Sequence, residues 1–135
     1  MTIQLSDAVR NAMLDQYETT IGTAPGFRIR TGTQPANCGA SRLGTILASM
    51  TLPSDWMNAA SGGSKTKLGS WQDASADNPG VAGHYEVMNT ALTVCHEQGS
   101  CSATGGGGDL ELDNTNIASG QTVTVTTFTR NAGNP

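Results

Sequence analysis

Apolar and polar positions alternate along this chain with two different periods. Between Ser6 and Ile21, Val9, Met13, Tyr17 and Ile21 recur at every fourth position with Ala12 beside them, the period of one helix face. Ser6 offers a capping oxygen, Asp7 an acid for the first turn, and Gly22 a residue free to take the left-handed conformation at the end. The spacing predicts one N-terminal amphipathic helix over about 6–21, docked through that stripe. Beyond it the period becomes two. Phe27-Arg28-Ile29-Arg30 alternates apolar with basic, so a strand is expected there with both arginines outward. Ile46, Ala48, Met50 and Leu52 share one parity within a strand over 44–52 that Pro53 ends. Lys65 to Trp71 reads as an edge strand with its lysines outward. His84 to Thr90 and Leu92 to Gln98 read as two more, joined by a turn at Asn89-Thr90-Ala91, with Tyr85 paired in parity with Val87 and Leu92 with Val94.

The last third carries the clearest strand signal. Leu110 and Leu112 alternate with Asp109, Glu111 and Asp113, and after turn formers at 114–120 the run from Gln121 to Thr129 is almost wholly β-branched. Val123 and Val125 share a parity that Phe128 breaks, so a bulge at Thr126-Thr127 is expected to return Phe128 to the core. The glycines at 105–108 read as a flexible connection, because a phosphate cradle needs Gly-Lys-Ser/Thr leading into a helix. Residues 31–43 and 72–83 show no period and read as loops; 54–60 reads as one helical turn capped by Ser54. The sum is a mainly β fold, a jelly roll or β-sandwich of about seven to eight strands with one helix.

Composition narrows the function classes. A length of 135 residues suits a single domain over 1–135. Charged residues at 13%, aromatics at 4% and 17 glycines fit a turn-rich β protein. A net charge of −4 with a pI near 4.8 argues against nucleic acid as a partner, since phosphate binding draws on clustered Lys and Arg. No window approaches the ~18 consecutive apolar residues of a membrane span, so no membrane partner is expected. MTIQLSDAVR shows neither the basic leader nor the apolar stretch of a signal peptide, which points to the cytosol.

Cys38, Cys95 and Cys101 are an odd number, and free thiols are the expectation in a reducing compartment; a Cys95–Cys101 bridge is the alternative. With His96 they equal a Cys3His zinc set in number, but neither Cys-x2-Cys nor His-x3-His is present and no metal or other cofactor is expected. Two histidines, His84 and His96, stand beside no nucleophile elbow, and Asp113-Asn114-Thr115-Asn116 lacks the glycine and distal glutamate of a calcium loop. The acidic alternation at Asp109, Glu111 and Asp113 reads as a solvated face. No catalytic constellation stands out, and the chain reads as a non-enzyme.

Several strings carry a resemblance. MTIQLSDAVRNAMLD, TGTQPAN at 31–37, LPSDWMNAASGGSK at 52–65 and GGGGDLELDNTNIASGQTVTV at 105–125 resemble small virion proteins of tailed bacteriophages, most of all the capsid cement or decoration proteins. The resemblance implies a β jelly roll made in the host cytoplasm and placed on the outer capsid surface. Its partners would be the major capsid protein and itself, as a homodimer or, alternatively, a trimer. A head- or tail-fibre domain binding host glycans is the second reading. Apolar surface for such contacts is expected at Met13 and Tyr17 on the helix and at Leu52, Pro53, Trp56 and Met57, with Trp56 either a core or an interface anchor.

Overall fold

The computed structural model describes residues 3–133. It is mainly β with one helix, α1 (Asp7–Ile21), and a sandwich of curled sheets. The Ser6 hydroxyl accepts from the Val9 N–H at 3.3 Å, and the Gly22 N–H closes the other end on the Glu18 carbonyl, so both caps fall where the sequence puts them. The main sheet contains β1 (Gly26–Thr31), β2 (Ile46–Thr51), β5 (Gly80–Met88), β6 (Cys95–Ala103) and β7 (Leu110–Leu112) in the order β2-β1-β5-β6-β7, with β8 (Asn116–Ile117) against the start of β5. Opposite it lie two short pairs, β3 (Ser64–Thr66) with β10 (Thr129–Asn131) and β4 (Gln72–Asp73) with β9 (Val123–Thr124).

The core fills the space between these layers. Phe27, Ile29, Tyr85 and Val87 project inward from β1 and β5, and Trp56, Met57, Trp71, Val123, Val125 and Phe128 meet them from the other side. All six aromatic residues join one chain of ring contacts running from Tyr17 to Trp56, Trp71, then Phe27 and Phe128, and on to Tyr85. Phe27 stacks on Tyr85 with centroids 5.3 Å apart, and Trp71 lies 4.8 Å from Phe128, within the range of favourable aromatic pairs. Gly99 faces Tyr85 across the ladder because a Cβ there would sit 2.6 Å from the tyrosine ring.

Several sequence expectations change here. The β-branched run from Gln121 is not one strand: Val125 donates to the Trp71 carbonyl, whereas the Phe128 carbonyl accepts from the Lys67 N–H, so the run changes partner. Its partner segment bends at Gly69, and a straight strand cannot follow both halves. Thr126 and Thr127 are both exposed at this change and Phe128 is buried, the shift of parity expected of a bulge. Residues 54–60 form no helical turn. They run extended beside β3, with Met57 bridged to Lys67 and Asn58 N–H on the Thr66 carbonyl. Strand β5 starts inside the expected 72–83 loop, and β6 begins only at Cys95, which leaves Leu92 and Val94 exposed in the turn.

The glycine run is a shaped crossover. Strands β6 and β7 are parallel and joined by residues 104–109 alone, so the chain must double back tightly. Gly108 donates to the Ser102 hydroxyl at 2.9 Å, and a Cβ on it would lie 2.7 Å from the Ser102 nitrogen. Close backbone approach demands glycine there. The neighbouring carboxylates are absorbed locally, Asp109 by the Ser100 N–H and hydroxyl and Glu111 by the Gly105 N–H. Among the described residues, no helix is long and apolar enough to cross a membrane.

Candidate functional site

The residues expected at a contact surface gather at one end of the sandwich, where the helix meets the segment after β2. Tyr17 and Trp56 are in ring contact at 5.9 Å, and the Trp56 indole N–H donates to the Gly22 carbonyl at 3.0 Å. Trp56 is therefore a joint between helix and sandwich. It is 0% exposed, and Leu52 and Met57 are each 2% exposed, so these three are core and not contact surface, a correction to the sequence reading. Pro53 is half-buried against Gly69, and Tyr17 is half-buried with its hydroxyl on Glu97. Of the six, Met13 alone is largely exposed.

The helix is rotated from the expected docking, and its polar side chains explain why. Lys65 from β3 is buried, 2.7 Å from both Asp15 and Glu18, instead of pointing outward as an edge-strand lysine. Arg10 donates through Nε to the Ala132 carbonyl, and Asn11 accepts from the Gly63 N–H. A buried ammonium must be matched by charge, so these contacts set the helix angle. Burial opposes the charge on Lys65, but the carboxylates of Asp15 and Glu18 outweigh it and hold its pKa above the ordinary value. The Lys65 hydrogen bond in turn keeps Asp15 below the ordinary carboxylate range. Leu14, which the four-residue stripe missed, takes the inward position with Ile21. Val9 and Met13 turn out to solvent with Ile3.

Beneath the helix end lies an open cleft of about 530 Å³, lined by Glu18, Thr19, Gly22, Thr23, Ser54, Asp55 and Trp56. Tyr17, in ring contact with the Trp56 of this cleft, joins a network in which the Tyr17 and Tyr85 hydroxyls both donate to Glu97, and Arg130 bonds Glu97 and the Tyr85 hydroxyl. Burial, reinforced by the Glu97 carboxylate, pushes both phenols well above the ordinary tyrosine pKa. This network ties α1, β5, β6 and β10 together.

A second polar centre, which the sequence reading missed, lies on the outer face of the main sheet. Arg30 occupies the outer face that its alternation gives it but is covered, at 8% exposed, and its Nε donates to Glu86 at 2.9 Å. Arg42 reaches Glu86 at 3.3 Å from the 33–43 loop, which covers this face. The same guanidinium bonds the carbonyls of Asn37, Cys38 and Ala40 as well as Gln98 and the Cys95 sulfur. Opposite charges at Arg30 and Glu86 on two strands with full alternation were the available signal. Cys38 and Cys95 meet here with their sulfurs 2.7 Å apart, whereas Cys101 packs against the core. The sequence alternative had paired Cys95 with Cys101. Burial and the hydrogen bond to Cys38 push the Cys95 thiol up to about 12, and burial pushes Cys101 up to about 12. Among the described residues no three His, Cys, Asp or Glu side chains are placed to hold a metal ion.

Comparison with protein-family models, with curated proteins and with solved structures finds no match.

Proposed function

We propose that the protein is a structural virion component that binds the outer surface of a bacteriophage capsid and cements neighbouring major capsid protein subunits, acting as a homodimer and not as an enzyme. The observation that carries the reading is the division of apolar side chains between inside and outside. Every aromatic ring joins the internal chain of ring contacts, while Val9 and Met13, four residues apart on one helix face, are 46% and 54% exposed with Ile3 ahead of them. An aliphatic stripe on a helix that is itself anchored by ion pairs suits a flat protein contact. The resemblance of residues 1–15, 31–37, 52–65 and 105–125 to cement proteins supports the same station. The glycan-binding fibre reading fares worse, because sugar sites use exposed ring faces and both tryptophans here are 0% exposed.

Localisation on purified virions by labelling tests the station. Shell-wide label is expected, and label confined to the tail overturns the cement role. Shells lacking the protein should rupture at lower temperature than shells carrying it, because a ligand that binds only the assembled state stabilises it. Equal resistance rejects cementing. Val9→Ser with Met13→Ser should weaken capsid binding without unfolding the chain, and unchanged binding would remove the helix from the contact.

A further inference from the structure

We propose that Cys38 and Cys95 are a disulfide-forming pair that staples the 33–43 loop to β6 when the protein meets a small-molecule disulfide oxidant. Three independent features of the fold bring them to it. First, Cys38 is held in place on both sides: the Gln98 amide donates to the Pro35 carbonyl at 2.7 Å, and Arg42 donates to the carbonyls of Asn37, Cys38 and Ala40. Second, Cys95 opens β6 directly after the Asn89–Leu92 turn, and the Cys95 thiol donates to the Cys38 sulfur across 2.7 Å, against ~2.05 Å in a disulfide. Third, Cys38 and Cys95 both line an open cleft of about 320 Å³ between the loop and the 88–95 segment and neither is fully buried, which gives an oxidant a way in.

The chemistry balances through thiol–disulfide exchange. Cys38, whose sulfur accepts the Cys95 hydrogen bond, gives its proton to solvent and attacks a small-molecule disulfide such as glutathione disulfide as its thiolate. A mixed disulfide forms on Cys38 and the first thiolate leaves. Cys95 then gives its proton to solvent and attacks the Cys38 sulfur, which expels the second thiolate. Two protein thiols are oxidised, one external disulfide is reduced, and two small thiols are released. Arg42, 3.4 Å from the Cys95 sulfur, is placed to stabilise the transient negative charge on that atom. Cys101 lies on the core side, packed against the buried cluster, and takes no part. The proposal does not rest on the capsid reading, since it concerns the chain alone.

The test uses the full chain, fully reduced and then incubated with oxidised glutathione. Intact mass and peptide mapping follow, after alkylation with and without denaturant. The expected product has lost one pair of hydrogens, joins the Cys38 and Cys95 peptides, and retains Cys101 as the single thiol that alkylates in denaturant. The Cys101→Ser variant should give the same joined product, and Cys95→Ser should stop at a glutathione adduct on Cys38. A Cys95–Cys101 joined peptide, a glutathione adduct that persists on Cys38 in the unaltered chain, or three alkylatable thiols after oxidation would each overturn the pairing. Tryptic cleavage after Arg42 should be slower in the oxidised chain than in the reduced one; equal rates would overturn the stapling.

Discussion

The two faces of the β1–β5 ribbon are both buried, but by different physics. Inward, Phe27, Ile29, Tyr85 and Val87 meet the aromatic and aliphatic residues of the opposite layer, and contact area does the work. Outward, Arg30, His84 and Glu86 are buried where Arg42 of the 33–43 loop reaches Glu86, with Arg28 half-buried further along β1, and each buried polar atom there needs a partner at the right distance and angle. Arg30 bonds Glu86 and the Gly44 carbonyl, and His84 Nδ1 pairs with the Gly32 carbonyl at 2.9 Å. Among the described residues, the orphans fall on this face: Arg28 Nε and His84 Nε2 are buried without a partner. Apolar burial forgives small errors of position, and polar burial does not.

Damage to each face in turn separates the two kinds of burial. Trp71→Ala removes a ring that touches Phe27, Trp56 and Phe128, and should cost ~3–5 kcal/mol by denaturant unfolding. A loss under ~1 kcal/mol would mean that the rings do not act as one core. Glu86→Ala leaves two guanidinium groups facing an emptied site, and a cost of ~3 kcal/mol is expected for breaking a buried pair. The double variant Glu86→Leu with Arg30→Met probes the pairing itself. If directional pairing governs the outer face, the double change costs less than the sum of the two single changes, and strict additivity would show that the pair is uncoupled.

The pH dependence of the inner network gives a smaller, directional effect. Tyr17 and Tyr85, the two tyrosines of the chain, have folded pKa values raised above that of an unfolded phenol. The stability they contribute is therefore complete below pH ~10 and is lost as pH rises beyond it, because the unfolded chain releases protons that the folded one keeps. Tyrosinate absorbance should rise only together with unfolding. Ionisation near pH 10 in the still-folded chain would place a hydroxyl in water. The smallest effect is expected at Met13→Ser, within ~0.5 kcal/mol of the parent, because its side chain already faces solvent. A loss above ~2 kcal/mol would show that the helix stripe is core after all.

Periodicity along the chain determined a good deal of this protein. Local rules sufficed for α1 with its Ser6 cap and Gly22 stop, for β1, β2 and β7, for the turn after β5, and for the return of Phe128 to the core. Each rests on neighbours within a few residues, where backbone geometry and alternation act directly. Tertiary structure decided which face of the helix docks, since the charge that turns it sits on Lys65, 50 residues away from Asp15. It also decided that Arg30 is buried, because alternation gives the face a residue occupies but not whether a loop covers that face. The division of Gln121–Thr129 between two partners followed from the bend at Gly69 in another segment. The cysteine pairing belongs to the same class: sequence spacing favours Cys95 with Cys101, and the Arg42 loop delivers Cys38 from 57 residues away. Propensity is a local quantity, whereas the coverage of a face and the matching of a buried charge depend on residues far apart in the chain.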